Sequence, residues 1–328
     1  MPRRGEVTGQ DVADLVGVDR SAVSLVLRNP GTKRVGQATK ERILEAVAQL
    51  GYVPNSAAAQ LREGRSRIAL MPFWHASSGS SADQIVDGIA DAAERHGFNF
   101  LIHGSRRVDD ATSRAWASLR PAIFIADGAQ LSGEVVGSLQ RSGTRAIVSI
   151  GPPELPRVFA VDEQIARAGV LAAQHLLHSG ADRFVAVVPD ILEVSAFTRS
   201  RLDGFLSSLP ARSTKVVHAD MHSMTISQWI LSLPRSGPRL GIFADSDRCA
   251  IEIMRAALQA GLAVPERISV VGIDGEESGR ELHPAITSLV YDAHQFGRDI
   301  FAAGLALAQG EEPATPVTDY RIVPRTSS

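Results

Sequence analysis

The chain has 328 residues, 44% of them hydrophobic and 21% charged, with a formal net charge of −2. That is ordinary soluble globular composition at a length suited to two or three compact units, and no apolar run approaches the length of a membrane span. One cysteine, Cys249, excludes an intrachain disulfide and fits a reducing cytoplasm.

Charge is distributed unevenly. Residues 1–67 hold eleven Lys+Arg against seven Asp+Glu, leaving 23 against 29 for the rest. A basic head on an acidic body suits one domain that meets phosphate and another that should not. Arg3 and Arg4 lack a following apolar segment, so they read as a basic arm rather than a signal peptide.

Thr8 with Asp11 three residues on forms a capping box. Val12, Leu15 and Val16 then fall on one face of a short helix. Gly17-Val18-Asp19 breaks it, glycine supplying the turn and Asp19 a cap for the next helix. That second helix covers about 20–28, with Val23, Val26 and Leu27 inward. Arg20, Ser21, Ser24, Leu25 and Arg28 cluster on the opposite side, the side a recognition helix turns to the major groove. Asn29-Pro30-Gly31 ends it. A third helix begins near Gln37, with Ile43, Ala46, Val47 and Leu50 inward and Gly51 closing it. Helix, glycine turn, helix is the helix-turn-helix signature; the competing reading is a small bundle with a solvated polar face.

Pro54 starts a further short helical segment, three alanines propagate it, and Gly64 stops it. At about ten residues such a helix is too short to be stable alone in water, so it is expected to order on a partner. Beyond residue 67 short apolar runs alternate with helical stretches. The runs are 68–72, 98–103, 122–126, 146–150, 184–188, 216–218, 240–244 and 268–273. The stretches are 82–96, 132–142, 164–179, 199–208, 225–233 and 248–260. This alternation implies parallel sheets covered on both faces.

The segments VTGQDVADLVGVDRSAVSLVLRN and TKERILEAVAQLGYVPNSAAAQLREGRS resemble the head of the LacI/GalR family of bacterial transcription repressors. IFADSDRCAIEIMRAALQAGLAVPERISVVGIDGEESGRELHPAITSL resembles that family's effector-binding core, and the resemblance spans essentially the whole chain. It implies an all-α helix-turn-helix DNA-binding head (1–53), a hinge helix and linker (54–66), and an α/β core (67–328). The core is periplasmic-binding-protein-like, with two subdomains of parallel sheets flanked by helices. An N-subdomain takes about 67–160 plus 292–317, and a C-subdomain about 161–291 plus 318–328. The chain crosses between them near 159–162, 291–293 and 317–319.

The resemblance also implies site residues. Thr8, Arg20, Ser21, Ala22, Ser24, Leu25, Arg28 and Asn29 are expected at DNA. Leu61 matches the hinge leucine that wedges into the minor groove, flanked by Asn55 and Ala58. Leu25 stands where much of the family has arginine; it suits a thymine methyl, or else packs on the third helix. In open α/β sheets ligands bind past the carboxyl ends of strands. That rule and the resemblance together select Asp274, Arg201, Ser246, Met221, Asp127 and Ser81 as effector contacts. Arg201 and Asp274 with hydroxyl neighbours suit a sugar or related polyol. After the first core strand the chain reads PFWHASSGSSADQIV and lacks the family's usual Asn-Pro-aromatic-Phe segment. Trp74 is either a stacking platform for the ligand or a packing residue of the core or dimer interface. The connection after His103 is short, which points to a truncated following helix.

Other chemistry fails at the motif level. Gly31-x4-Gly36 lacks the Lys-Ser/Thr of a P-loop, and neither a G-x-S-x-G elbow nor a G-x-G-x-x-G turn occurs. The pairs His175/His178 and His218/His222 lack companion ligands at recognised spacing, so no metal or cofactor is expected. The leading reading is a cytoplasmic, non-enzymatic DNA-binding regulator. It binds an operator as a homodimer, responds to a small-molecule effector and has no membrane partner. The alternative is a solute-binding protein or sugar-processing enzyme of similar architecture.

Overall fold

The computed structural model describes residues 7–28, 31–53, 66–73, 80–104, 108–152, 155–189, 195–219 and 225–328. Contacts divide the chain into two compact units, Met1–Arg65 and Ser66–Ser328.

The first unit contains α1 (Gly9–Val16), α2 (Arg20–Arg28) and α3 (Gln37–Leu50). The Asp11 carboxylate accepts from Thr8 N–H at 2.6 Å, and Thr8 Oγ1 accepts from Asp11 N–H at 3.4 Å, closing the capping box. Gly17, at φ +72°, ends α1 and donates its N–H to the Ala13 carbonyl at 2.8 Å. Val12, Ala13, Val16, Val23, Val26, Ile43 and Ala46 form the buried core, with Leu27, Val47 and Leu50 packed against it. One inward assignment is corrected: Leu15 is 50% exposed, and Ala13 is buried instead. An eight-residue helix crossing two neighbours covers a narrower stripe than its apolar periodicity marks out.

The second unit has two sheets. The first comprises β1 (Ile68–Pro72), β2 (Asn99–His103), β3 (Ile123–Asp127), β4 (Ala146–Ile150) and β5 (Phe159–Val161), ordered β2-β1-β3-β4-β5 and parallel throughout. Helices α4 (Ser80–Arg95), α5 (Asp110–Ser118) and α6 (Gly133–Ser142) intervene. The second sheet is built from β6 (Arg183–Pro189), β7 (Thr214–Ala219), β8 (Leu240–Ala244), β9 (Ile268–Ile273), β10 (Thr287–Val290) and β11 (Arg321–Val323). Its order is β11-β10-β9-β8-β6-β7. Its helices are α7 (Glu163–His178), α8 (Ala196–Ser207), α9 (Thr225–Leu231), α10 (Asp247–Gln259) and α11 (Glu277–Glu281). β11 departs from the expected parallel arrangement: it runs antiparallel to β10, pairing Ser288 with Val323. β3, β4, β8 and β9 are buried at every residue, as strands covered on both faces must be.

One further helix, α12 (Ala293–Gln309), follows the second sheet's β10 but packs on the first. Its Phe296, Ile300 and Phe301 are buried with Ile123 and Val148. The chain therefore passes between subdomains after β5, again between β10 and α12, and again between α12 and β11. Neither β10 nor α12 is among the sequence-predicted elements. The connection after His103 carries α5, nine residues long and capped by Asp109, which accepts from Thr112 N–H at 2.8 Å.

Candidate functional site

In the first unit, α2 turns two of its faces to different tasks. Val23 and Val26 are buried in the head core, while Arg20 and Ser21 are exposed and Ala22, Ser24 and Leu25 are half-buried. Leu25 does not belong to the cluster packed on α1 and α3. Thr8 stands at the start of α1, its hydroxyl donating to Asp11 at 2.7 Å. The Arg28 side chain and Asn29, Asn55, Ala58 and Leu61 lie outside the described residues.

In the second unit, the carboxyl ends of both sheets face a cleft, and several side chains bridge it. Ser81, from the first turn of α4, donates its hydroxyl to Asp274, just past β9. Asp274 has φ +107°, a backbone setting rare for a residue with a side chain and held only where surroundings enforce it. Burial raises its carboxyl pKa, while Arg201 and the Ser81 hydroxyl pull it back. Arg201, on α8, is 2% exposed. Its Nη1 donates to the Asp245 carbonyl at 3.3 Å and lies 4.0 Å from the Asp245 carboxylate, and its Cζ sits 4.1 Å from the Phe197 ring centroid. Burial works against this cation, but Tyr320, Tyr291, Asp245 and Asp274 outweigh it and hold its pKa above the ordinary arginine value.

Two of the chain's three tyrosines, Tyr291 and Tyr320, meet beside Arg201 with ring centroids 4.6 Å apart. They lie on the two later passages between subdomains. Among the described residues the buried Arg201 Nε and Nη2 and both tyrosine hydroxyls make no hydrogen bond of regular geometry, although the hydroxyls lie near Arg201, Ser81 and each other. Buried polar groups are normally paired, so this cluster of donors beside the Asp274 carboxylate matches a ligand that both donates and accepts.

The other expected contacts are engaged differently. Asp127 is 3% exposed, and its Oδ1 accepts from Ala129 N–H and, across the cleft, from Ala196 N–H at the start of α8, each at 2.8 Å. Ser246 is buried and caps α10, accepting from Cys249 N–H at 3.2 Å. A cavity of about 250 Å³ borders Asp127 and Ser195 and is rimmed by Asp109, Asp110 and Glu134. Trp74 and Met221 lie outside the described residues.

Sequence reasoning missed Asp245, Tyr291, Tyr320 and Asp247. Asp247 is fully buried; Ser288 Oγ donates to its Oδ1 and Glu276 N–H to its Oδ2, both at 2.7 Å. Burial pushes its pKa up to about 7; those two hydrogen bonds oppose the shift, and the nearby Asp274 and Glu276 charges add to it. Strand-end position alone would have flagged Asp245, which directly follows β8. Nothing local marks the tyrosines.

No group of three or more His, Cys, Asp or Glu among the described residues is arranged to hold a metal ion. None of the described helices is long and apolar enough to cross a membrane.

Comparison with known proteins places both units. Residues 8–55 match the model for bacterial regulatory proteins of the lacI family, and residues 173–328 match the periplasmic binding protein-like domain. The chain is 26% identical to the HTH-type transcriptional regulator CelR of Thermobifida fusca, with all of both chains covered. It is 24% identical to the HTH-type transcriptional repressor PurR of Aliivibrio fischeri (strain MJ11), over 89% of this chain and 88% of the relative. The lac repressor dimer bound to operator and the anti-inducer ONPF shares its fold, with a TM-score of 0.76 and 22% identity over 98% of this chain and 99% of that one. The chain therefore carries a head that matches the lacI family of bacterial regulatory proteins, residues 8–55, followed by a periplasmic binding protein-like domain, residues 173–328, and is similar along its full length to the regulator CelR.

Proposed function

We propose that the protein is a sequence-specific transcriptional regulator, a repressor that binds a near-palindromic operator as a homodimer. Its DNA affinity is set by a small polar molecule, a sugar or related metabolite, held in the cleft of the core. The observation that carries the reading is α2, whose outward face is set apart from a well-packed three-helix core. A solute-binding protein or sugar-processing enzyme would leave that face without a task.

One head offers too few base contacts for useful specificity, and a two-fold dimer matches two half-sites. Arg20, Ser21 and Ser24 read base edges and phosphates, and Leu25 lies against a thymine methyl. The hinge leucine, Leu61, wedges the minor groove. In the core, Asp274 and Arg201 anchor the ligand, and Tyr291 and Tyr320 add hydroxyls. Because ligand would replace the direct Ser81–Asp274 contact, binding changes how the two subdomains close, and closure is what the hinge segments sense.

Selection of bound sequences from random DNA tests the reading. The wild-type protein should enrich a near-palindrome, and Leu25→Arg should move one symmetric pair of positions toward guanine, worth about 1–3 kcal/mol of discrimination. Enrichment of no motif would remove the regulator reading; an unchanged motif would remove Leu25 from the bases. A thermal-shift panel of sugars, starting with the cellobiose of the CelR complex, tests the cleft. A sugar that stabilises wild type but not Asp274→Ala supports the assignment.

A further inference from the structure

The turn that carries Asp274 is held by its backbone. Asp274 N–H donates to the Leu289 carbonyl at 2.9 Å, Gly275 N–H to Ser288 Oγ at 3.0 Å, and Glu276 N–H to Asp247 Oδ2 at 2.7 Å. The second and third bonds share one foundation, because Ser288 Oγ in turn donates to Asp247 Oδ1 at 2.7 Å. A single carboxylate, fully buried at the start of α10, therefore stands behind two consecutive amides of this turn.

The fold makes room for that carboxylate. A side chain at Gly272 on β9 would overlap Asp247 Oδ1, so glycine is the residue that leaves the socket open. The charged groups that face Asp247 from the turn, Asp274 and Glu276, are both acidic. Among the described residues Asp247 makes no ion pair, and a buried carboxylate without a countercharge is expensive, so hydrophobic packing does not account for its presence. Its hydrogen bonds do. Asp274 and Gly275 both have positive φ, +107° and +69°, and a non-glycine residue keeps such a conformation only where neighbours over-determine it.

We propose that Asp247 is a positioning residue for Asp274: it clamps the 274–276 turn, through Glu276 N–H and through Ser288, so that the Asp274 carboxylate points across the cleft to Ser81. The inference rests on reading Asp274 as a ligand anchor, and its test needs no ligand. Hydrogen–deuterium exchange on the full chain reads the clamp directly.

In Asp247→Ala the peptide spanning the turn should exchange about tenfold faster than in wild type, because Glu276 N–H loses its acceptor and the Ser288 hydroxyl that accepts from Gly275 N–H loses its anchor. Peptides from α12 and from β3 should keep wild-type protection. Asp247→Asn should restore protection at the turn: its amide oxygen accepts from Glu276 N–H and its amide nitrogen donates to Ser288 Oγ, which rotates. Wild-type protection of the turn in Asp247→Ala overturns the proposal. So does loss of protection spread evenly over the core, or an Asp247→Asn variant as exposed as Asp247→Ala. Where Asp247→Ala does not fold, Ser288→Ala replaces it: faster exchange confined to the turn supports the clamp, and no change overturns it. Asp274→Ala leaves every clamping bond in place and should exchange like wild type at Gly275 and Glu276. If Asp274→Ala abolishes no sugar response yet Asp247→Ala frees the turn, the anchor assignment falls and the clamp stands.

Discussion

Each subdomain of the core contains one helix pair packed closer than side chains permit, and the two pairs serve different ends. α4 and α12 cross where Gly88 faces the His294 carbonyl and Gly297 faces the Ile85 carbonyl. α7 and α8 cross where Gly169 faces the Arg201 carbonyl and Gly204 faces the Ala166 carbonyl. At all four positions a Cβ would overlap the opposing oxygen, so the axes approach to the distance of Cα–H···O=C contacts. The first crossing is internal: Phe296, Ile300 and Phe301 of α12 are buried in their own subdomain. The second reaches outward. The start of α8 donates Ala196 N–H to Asp127, and its Phe197 is buried in the other subdomain's core. A Cβ on Gly151, beyond β4, would come within 2.7 Å of Ala196 backbone. A close crossing fixes a helix axis; ties to the opposite subdomain turn that axis into part of a site, here the part that carries Arg201.

Removing Phe197 should give the largest effect. Its ring is 3% exposed and underlies the Arg201 guanidinium. Phe197→Ala should cost about 3–5 kcal/mol in urea denaturation, matching Phe301→Ala, since both empty a packed site. The two should differ in combination with Arg201→Lys: coupling above about 0.5 kcal/mol with Phe197→Ala, and near-additivity with Phe301→Ala. Equal coupling would erase the distinction between the helices.

Next come the glycines. Gly169→Ala and Gly88→Ala should each destabilise by about 1–3 kcal/mol, because backbone must shift to admit the methyl group. Double-mutant cycles against Arg201→Lys sharpen the contrast: Gly169→Ala should couple and Gly88→Ala should not. A cycle that closes additively at Gly169 would show that the crossing does not set Arg201.

What the sequence made legible follows the range of the interactions involved. The α2 limits, the Thr8–Asp11 box and the Gly17 turn rest on contacts within four residues, and the structure has them as read. Strand runs were legible for a related reason, since a central parallel strand is apolar at every position. α12 was not, because Gly297 and Gly304 lower helix propensity in a stretch that needs them for packing; a Cβ on Gly304 would lie 2.8 Å from Ile123. β10 is four residues long and β5 three, below what periodicity resolves. In the cleft, position past a strand end drew notice to Asp274 and Asp127, but their partners are far off in sequence. Ser81 and Asp274 are 193 residues apart, and Asp127 and Ala196 are 69 apart. The Ser246 cap is local, an N-cap serine three residues before Cys249, but no local pattern announces that Asp127 also accepts from Ala196 N–H, or that two tyrosines converge on Arg201.

Asp127 offers a milder way to break the comparison. Asp127→Ala removes an acceptor from Ala129 N–H in its own subdomain and from Ala196 N–H in the other, and should cost about 1–2 kcal/mol. Ser132→Ala is the internal control: it removes only the cap on Val135 N–H, at 3.2 Å, and should cost about 1 kcal/mol. If α8 is tied across the cleft as argued, Asp127→Ala should also speed hydrogen exchange in the first turn of α8, and Ser132→Ala should leave that turn unchanged. Identical exchange in both variants would confine Asp127 to its own subdomain.

The smallest expected effect is a slope with pH. Asp247 has a folded-state pKa raised from 3.8 to about 7, with burial as the main cause. A carboxyl group with a raised pKa binds its proton more tightly in the folded chain than in the unfolded one. The stability it contributes is therefore fully present below about pH 4, falls as pH rises toward 7, and is flat above. Asp247→Asn has no proton to lose there. Between pH 6 and pH 7 the wild type should lose at most about 1.4 kcal/mol relative to Asp247→Asn, read from urea midpoints at the two pH values. Asp274, whose pKa is also raised, is coupled to Asp247 through their like charges, so the difference between the two curves reports the loss of the Asp247 charge together with its effect on Asp274. A second comparison with Ser288→Ala separates charge from packing. Losing the Ser288 hydroxyl removes a bond that favours the ionised carboxylate, so that variant should steepen the fall and carry it to higher pH. Parallel curves for wild type and Asp247→Asn would show that this carboxylate is already ionised well below neutrality, its two hydrogen bonds outweighing its burial.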